Sequence, residues 1–155
     1  MDAKTLEEYE KRTTAMGLLN YTKEYYQGYE TVNNSHPKDI DCMAVKYFLL
    51  CHSLELALKS WLRLKGLTYL ELKSLGHNLE KCVKLLADKY DLHFDPATTQ
   101  MIIHTNQYYS NKDFEYFVMG YKSLPAIDQL ASSVHLIISK VNYDVTNEFR
   151  ARKKN

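Results

Sequence analysis

The sequence predicts an all-α protein, folded as an antiparallel bundle of four to five helices. Apolar residues recur at spacings of three and four along most of the chain, which is the period of an amphipathic helix. No segment shows the apolar–polar alternation of a half-buried strand. Five glycines and three prolines among 155 residues leave few sites for tight turns. Together these observations favour long helices joined by short connections.

Two helices are predicted in the first half of the chain. The first covers about Thr5–Asn33, and the segment Asn33–Pro37 ends it because the residue before a proline is displaced from helical geometry. The second covers about Lys38–Lys65 and is apolar over most of its circumference, which places it at the centre of the bundle. Trp61 is therefore expected to be buried, and Gly66 is expected to end this helix.

Helix start signals follow in the second half. Thr68–Ser74 is expected to form a short helical turn or an ordered loop. A third helix is predicted over about Asn78–Tyr90, with Asn78 as a candidate N-cap. Asp95 followed by Pro96 predicts the next helix start, because Asp caps the first turn and proline suits the first helical position.

The last predicted helix begins near Pro125 and continues to about Arg150. Before it, the apolar segment Phe114–Met119 is expected to form an extra turn packed on the bundle. Seven apolar residues at helical spacing are predicted to form the core-facing stripe of the last helix: Ile127, Leu130, Val134, Ile137, Val141, Val145 and Phe149. No internal repeat or domain boundary is visible, so residues 1–155 are predicted to form one domain.

The charge balance excludes a strong whole-protein attraction for nucleic acid. Twenty Lys and Arg oppose 19 Asp and Glu, which leaves a formal charge of +1. The one basic patch is a short tail beginning at about residue 150, Arg150–Asn155. It is interpreted either as a solvated helix end, where cations suit the helix dipole, or as a local contact for RNA.

No metal, cofactor or membrane is predicted. Cys42, Cys51 and Cys82 form no CxxC pair and have no histidine at zinc-finger spacing, so they are interpreted as reduced apolar residues. No apolar run approaches the length that spans a membrane, and the N-terminus has no apolar signal region. A cytoplasmic protein is the expectation.

Four polar residues form a stripe along the second predicted helix: His52, Glu55, Lys59 and Arg63. At about 100° per residue they fall within about 80° of arc, so they lie in one line. Glu55 and Lys59 also have the favourable i,i+4 order for an ion pair. A cationic line ending in an imidazole is a candidate phosphate-binding site; the alternative is that it is the ordinary solvated face of an amphipathic helix.

His77 lies where the third helix is predicted to begin, between Gly76 and the candidate cap Asn78. A histidine at this position is a candidate ligand-binding or catalytic residue, or a structural contact to a neighbouring helix. The sequence contains no HExxH, no glycine-rich phosphate loop and no GxSxG. His77 is therefore grouped with the stripe as a candidate site residue.

The order of these features resembles the HEPN family of small helical bundles. Leu56-Ala-Leu-Lys-Ser-Trp-Leu62 ends a helix, and Leu70-Glu-Leu-Lys-Ser-Leu-Gly-His-Asn-Leu-Glu-Lys81 follows it after a short loop. Gly76–Leu79 is similar to the family's "GHDL"-type helix start, and the aromatic segment Phe114–Phe117 precedes a long final helix. The resemblance covers roughly residues 38–142.

The resemblance implies a bundle of four or five helices that commonly forms homodimers. Family members include metal-independent ribonucleases, toxins of toxin–antitoxin pairs and non-catalytic partners of small nucleotidyltransferases. The ribonucleases carry an arginine followed, after four to six residues, by a histidine. None of the four arginines of this chain has a histidine at that spacing: Arg12, Arg63, Arg150 and Arg152.

Two functions are therefore expected as alternatives. The first is a non-catalytic interaction or ligand-binding module, whose ligand is RNA, a nucleotide or a protein partner such as a nucleotidyltransferase. The second is a divergent metal-independent ribonuclease. It would use His77 or His52 as general acid and base, with Lys59 and Arg63 stabilising the phosphate.

Overall fold

A computed structural model describes residues 2–35, 41–116 and 120–153, and these residues form helices without any strand. The helices in chain order are α1 Ala3–Arg12, α2 Ala15–Ser35, α3 Met43–Leu64, α4 Tyr69–Ser74, α5 Leu79–Tyr90, α6 Pro96–Tyr109 and α7 Ile127–Arg152. The all-α prediction is confirmed. Within the described ranges, none of these helices has both the length and the apolar character needed to cross a membrane.

The first predicted helix is two helices, so the prediction of one continuous helix over Thr5–Asn33 is wrong. The chain leaves helical geometry at Thr13 and Thr14. The carbonyl of Thr13 accepts a hydrogen bond from Nε of Arg63, at 2.7 Å. The hydroxyl of Thr14 accepts one from the backbone N–H of Gly17, at 2.9 Å, as an N-cap of α2 does. These side-chain bonds replace the helical hydrogen bonds across the break.

The central helix α3 begins later than predicted. Asp41 and Cys42 are not helical, and the carbonyl of Cys42 accepts the first helical hydrogen bond, from the N–H of Lys46. The break predicted over Asn33–Pro37 is wrong for its first three residues, because α2 continues through Ser35. Its remaining residues, 36 and 37, and the predicted start at Lys38 lie outside the described residues. Trp61 is 1% exposed, which confirms its predicted burial. Gly66 follows the end of α3 with φ of 101°, a conformation that favours glycine.

The helix starts of the second half follow the predicted caps. Thr68 caps α4 through a reciprocal pair of bonds with Glu71, so this segment is a helix rather than a loop. The carboxamide of Asn78 accepts from the N–H of Lys81 at the start of α5, and Asp95 accepts from Thr98 at the start of α6. Local sequence therefore fixes where these helices begin.

The contacts between helices show their directions. Ser60 donates to the Ala15 carbonyl and Ser53 to the Thr22 carbonyl, so α2 and α3 are antiparallel. Tyr47 donates to the Pro125 carbonyl just before α7, whereas Trp61 donates to Asp144 further along α7. Consequently α3 and α7 run in the same direction, and the prediction of an antiparallel bundle is wrong for this pair.

The segment between α6 and α7 packs on the bundle only in part. The ring of Phe114 stacks on that of Tyr47, with centroids 5.6 Å apart. Residues 111–116 form turns and a bend rather than a helix. The remainder of the predicted apolar turn, residues 117–119, lies outside the described residues. Along α7, Leu130, Val134 and Val145 are buried as predicted, but Phe149 is 43% exposed. It lies on the last turns of α7, next to a surface cavity rather than in the core.

A buried amide connects α5 to α6. The carboxamide oxygen of Asn106 accepts from the N–H of Leu79, at 2.8 Å, and its nitrogen donates to Asn78 at 3.3 Å. The first turn of α5 is thereby attached to the last turn of α6. This attachment brings Tyr109, one turn further along α6, against the middle of α3.

Candidate functional site

Five side chains from three parts of the chain form a connected polar cluster. His52, Glu55 and Lys59 belong to α3, His77 to the α4–α5 connection and Tyr109 to α6. We call these five residues the polar cluster. The structure thus brings together four of the five residues predicted from the sequence and adds Tyr109.

Glu55 is the centre of the polar cluster. Only 2% of this residue is exposed, although it lies on the stripe predicted as a polar face. Its Oε1 accepts from Nζ of Lys59 at 2.6 Å. Its Oε2 accepts from the hydroxyl of Tyr109 at 2.5 Å and pairs with Nδ1 of His77 at 2.9 Å. Every oxygen of this buried carboxylate therefore has a partner, as burial of a charge requires.

The pKa of Glu55 reflects two opposing effects. Burial by itself raises it, because a carboxylate is poorly solvated in the protein interior. The charge of Lys59 and the hydrogen bonds from Lys59, Tyr109 and His77 lower it, and together they outweigh burial. Glu55 therefore has a pKa below its ordinary value of 4.5 and is ionised at neutral pH.

His52 lies beside this carboxylate and contacts it through Tyr109. Nδ1 of His52 is 2.8 Å from the Tyr109 hydroxyl and 3.8 Å from Oε2 of Glu55. The imidazole ring stacks on Phe48 and meets the edge of Tyr25. Burial lowers the pKa of His52, and the charge of Glu55 offsets this effect only in part. His52 is therefore predominantly neutral at neutral pH.

Lys59 and His77 join Glu55 to the α4–α5 connection. Nζ of Lys59 also donates to the Gly76 carbonyl, at 2.8 Å, which holds the α4–α5 connection against α3. Gly76 itself has φ of 59°. The side chain of Lys59 is mostly buried, whereas 45% of the His77 side chain is exposed. His77 is therefore the member of the polar cluster that a ligand meets first.

Arg63 does not join the polar cluster, so the prediction of one continuous cationic line is wrong. Its guanidinium pairs with Glu10 of α1 at 2.5 Å and donates to the carbonyls of Glu10, Thr13 and Leu67. Glu10 in turn accepts from the N–H of Tyr69. We call Arg63, Glu10 and these backbone groups the arginine clamp. Its donors are used within the fold, which leaves Arg63 unsuited to hold a ligand phosphate.

Tyr109 is the site residue that the sequence reading missed as a member of the site. At 1% exposure its side chain is buried in the core. Burial and the neighbouring Glu55 charge raise the pKa of its hydroxyl well above the ordinary value of 10.0, so the hydroxyl keeps its proton. The available signal was indirect: a buried tyrosine hydroxyl needs a hydrogen-bond partner.

The polar cluster also contains the residue types of a metal site. One ligand atom each from His52, Glu55 and His77 lies within 4.8 Å of the others. However, the two oxygens of Glu55 already bind the Lys59 ammonium and the Tyr109 proton. A divalent cation on Glu55 would have to displace both and then lie beside an ammonium group. The polar cluster therefore fits hydrogen bonding or proton transfer better than metal ligation, and the absence of a metal stays a prediction.

An apolar cavity of about 640 Å³ lies away from the polar cluster, between the start of α3 and the segment around Phe114. The polar cluster itself faces solvent through His77 rather than through this cavity. No protein-family model, curated protein or solved structure matches this chain. The HEPN resemblance thus remains a prediction, and the role of the polar cluster has to be argued from its own geometry.

Proposed function

We propose that this chain is a non-catalytic, HEPN-like interaction or ligand-binding module whose ligand contacts the polar cluster through His77. The all-α fold is compatible with that family, and the arginine-to-histidine spacing of its ribonucleases is missing from the sequence. RNA, a nucleotide and a nucleotidyltransferase-type protein are the candidate ligands, and a toxin–antitoxin system is one setting for them.

The observation that carries this proposal is that the polar cluster neutralises its own charges. The ammonium of Lys59 binds the Glu55 carboxylate and a backbone carbonyl, and Arg63 belongs to the arginine clamp. A ribonuclease needs a fixed cation at the phosphate in the transition state. Neither predicted cation is available for that role without breaking internal bonds. The arrangement supports binding better than cleavage.

The experiment compares ligand binding by two histidine variants. A fluorescent single-stranded RNA and a nucleotide mixture are titrated against wild type, His77→Ala and His93→Ala. His93 is a matched control, since it is an exposed histidine that pairs with the nearby Asp91 and, among the described residues, lies outside the polar cluster. Loss of one ligand hydrogen bond predicts affinity about three- to tenfold weaker for His77→Ala.

Equal affinities for the two variants would contradict the role of His77. Failure of both probes to bind wild type would leave a protein partner as the remaining ligand of the proposal. That partner can be sought by co-purification with wild type and with His77→Ala, and unchanged recovery from the variant would contradict the proposal.

A divergent metal-independent ribonuclease is the second candidate, and one observation favours it. The imidazole rings of His52 and His77 have centroids 6.2 Å apart, next to the ammonium of Lys59. Two nearby imidazoles are suited to serve as general base and general acid. Incubation of mixed RNA with wild type, His52→Ala, His77→Ala and His93→Ala tests it. Cleavage that is lost in the first two variants and retained in the third would replace the binding proposal.

A homodimer is proposed together with this function, because HEPN-like proteins commonly dimerise. Two tyrosines and a leucine of α2 and α7 are exposed: Tyr21, Tyr143 and Leu136. Aromatic residues are enriched at interfaces. Light scattering is expected to give twice the chain mass of 18.2 kDa at micromolar concentration, and a constant monomer mass would contradict the dimer.

A further inference from the structure

The directions of the hydrogen bonds in the polar cluster follow from the charge of Glu55. The Lys59 ammonium has only donors, so its 2.6 Å contact requires Oε1 of Glu55 to accept. An ionised carboxylate has no proton to give, and each of its remaining partners must donate to it. This requirement fixes where the protons of Tyr109 and His77 lie.

Tyr109 transmits this requirement to His52. Its hydroxyl has one proton, and the 2.5 Å contact places that proton toward Oε2 of Glu55. The hydroxyl oxygen can then only accept at its second contact, which is Nδ1 of His52 at 2.8 Å. Nδ1 of His52 must therefore be the protonated ring nitrogen. A neutral imidazole has one N–H, so Nε2 of His52 is an unprotonated acceptor.

His77 reaches the same state by direct contact. Its Nδ1 lies 2.9 Å from Oε2 of Glu55 and has to donate. Neither Nε2 has a hydrogen-bond partner within the parts of the chain that the structure describes. We infer that Tyr109 is a positioning residue which, together with Glu55, holds both imidazoles as Nδ1–H tautomers and presents Nε2 of His52 and His77 as ligand acceptors.

The inferred tautomers indicate which chemical groups of a ligand can bind at this site. This conclusion about the ligand rests on the proposed function. In the inferred Nδ1–H tautomer, Nε2 of each imidazole accepts hydrogen bonds from donors such as hydroxyl or amino groups. An anionic phosphate offers only acceptors when fully ionised, and the polar cluster holds its one ammonium internally. The ligand is therefore expected to meet His77 through a donor group, such as a ribose hydroxyl, rather than through a phosphate oxygen.

Nitrogen-15 NMR of the imidazoles tests the tautomers without any ligand. Spectra are recorded at about pH 8, above the ordinary histidine pKa of ~6.5. Single His→Gln variants assign the resonances of His52 and His77. A protonated ring nitrogen resonates far upfield of an unprotonated one, so the two tautomers are directly distinguished. Wild type is expected to show protonated Nδ1 and unprotonated Nε2 at both residues.

Tyr109→Phe separates the role of Tyr109 from that of Glu55. This variant removes the acceptor of His52, so the His52 tautomer is expected to shift toward Nε2–H while His77 stays unchanged. Tyr108→Phe is the matched control, because the Tyr108 hydroxyl contacts the N–H of Ser123 and no histidine. Protonated Nε2 on His52 in wild type would overturn the inference, and so would an unchanged His52 tautomer in folded Tyr109→Phe.

The wild-type spectrum decides the tautomers even if Tyr109→Phe fails to fold. The ligand class is tested separately, by adding inorganic phosphate or uridine to labelled wild type. Uridine is expected to move the Nε2 resonance of His77 more than phosphate does. A response to phosphate alone would overturn the inference that the ligand donates to His77. A response to neither probe would contradict that inference for a ribose hydroxyl. Neither outcome would change the tautomers read from the spectrum without ligand. Equal affinities of His77→Ala and His93→Ala in the titrations above would contradict the proposed function without altering either tautomer.

Discussion

The polar cluster and the arginine clamp begin on the same stripe of α3 and differ in what they leave for a ligand. Both join a carboxylate to a cation, Glu55 to Lys59 and Glu10 to Arg63. In the clamp, three backbone carbonyls accept further hydrogen bonds from the guanidinium, so four of its five N–H donors are used within the fold. In the polar cluster, His77 and Tyr109 bind the carboxylate and His52 binds the Tyr109 hydroxyl, while each imidazole keeps one ring nitrogen without a described partner.

The difference shows that a polar stripe on a helix does not define one site. About two helical turns separate Glu55 from Arg63, and different neighbours cover them. The α4–α5 connection and α6 cover Glu55, whereas the end of α1 covers Arg63. Arg63 connects α1 to α3 and has a structural role. The polar cluster instead leaves Nε2 of His52 and His77 to bind a ligand.

The largest expected effect comes from removing the centre of the polar cluster. Glu55→Ala leaves the mostly buried Lys59 ammonium without its counter-charge and the Tyr109 hydroxyl without its acceptor. Breaking a buried pair in this way costs about 3–5 kcal/mol in the free energy of unfolding. Urea denaturation measures it, with Glu24→Ala, an exposed carboxylate of α2, as the control. A loss no larger than that of the control would show that the network contributes nothing to stability.

A smaller effect is expected at the arginine clamp. Arg63→Ala removes hydrogen bonds to a partly exposed carboxylate, which together are worth about 1.5–3 kcal/mol. Arg63→Lys should recover little of this loss, because an ammonium cannot reproduce the planar fork that reaches Glu10 and three carbonyls. If Arg63→Lys kept the full stability of wild type, the positive charge alone would be sufficient to attach α1 to α3. Ligand binding is expected to survive both substitutions, unlike His77→Ala.

Removal of the single Tyr109 hydroxyl is expected to cost less again, about 1–2 kcal/mol. Tyr109→Phe keeps the ring in the core and leaves the Nδ1–H of His52 without its acceptor. Thermal and urea unfolding measure the change, with Tyr108→Phe as the matched control. Equal stabilities of the two variants would indicate that the hydroxyl bond to Glu55 is replaced by water.

The smallest effect is a difference in pH dependence between the two regions. Burial lowers the pKa of His52 in the folded state, so below the ordinary value of 6.5 the unfolded chain binds a proton that the folded chain does not. Stability of the polar cluster should thus begin to fall as pH drops below about 6.5. The pKa of Glu55 is also lowered, so its contribution is present above 4.5 and is lost as pH falls further.

The arginine clamp has no histidine and is expected to respond only at lower pH. The hydrogen bond from the Tyr69 N–H lowers the pKa of Glu10 below its ordinary value of 4.5; burial opposes this shift, and the bond and charge of Arg63 add to it. Its contribution is therefore constant until pH falls below about 4.5. Urea unfolding between pH 5 and 7 should show a slope in wild type that His52→Gln flattens and Arg63→Ala does not. An unchanged slope in His52→Gln would show that another titrating group causes the pH dependence of stability.

The amino-acid sequence by itself determined the helices whose signals are local. The caps Asn78 and Asp95 and the burial of Trp61 depend on neighbouring residues and on helical periodicity, and all three predictions are confirmed. The proximity of His52, Glu55 and Lys59 was predictable for the same reason, since spacings of three and four place side chains on one face. Thr14 carried a cap signal for α2 that the apolar pattern around it obscured.

Only the tertiary structure decided which of these residues share a site. Tyr109 reaches Glu55 across 54 positions of sequence because α6 packs on α3, and no periodicity within either helix encodes that contact. Arg63 does not take part in the polar cluster because the end of α1 and the break after it place Glu10 and the Thr13 carbonyl beside its guanidinium. Side-chain type and spacing are properties of one helix, whereas burial of Glu55 and saturation of Arg63 depend on what the other helices place against it.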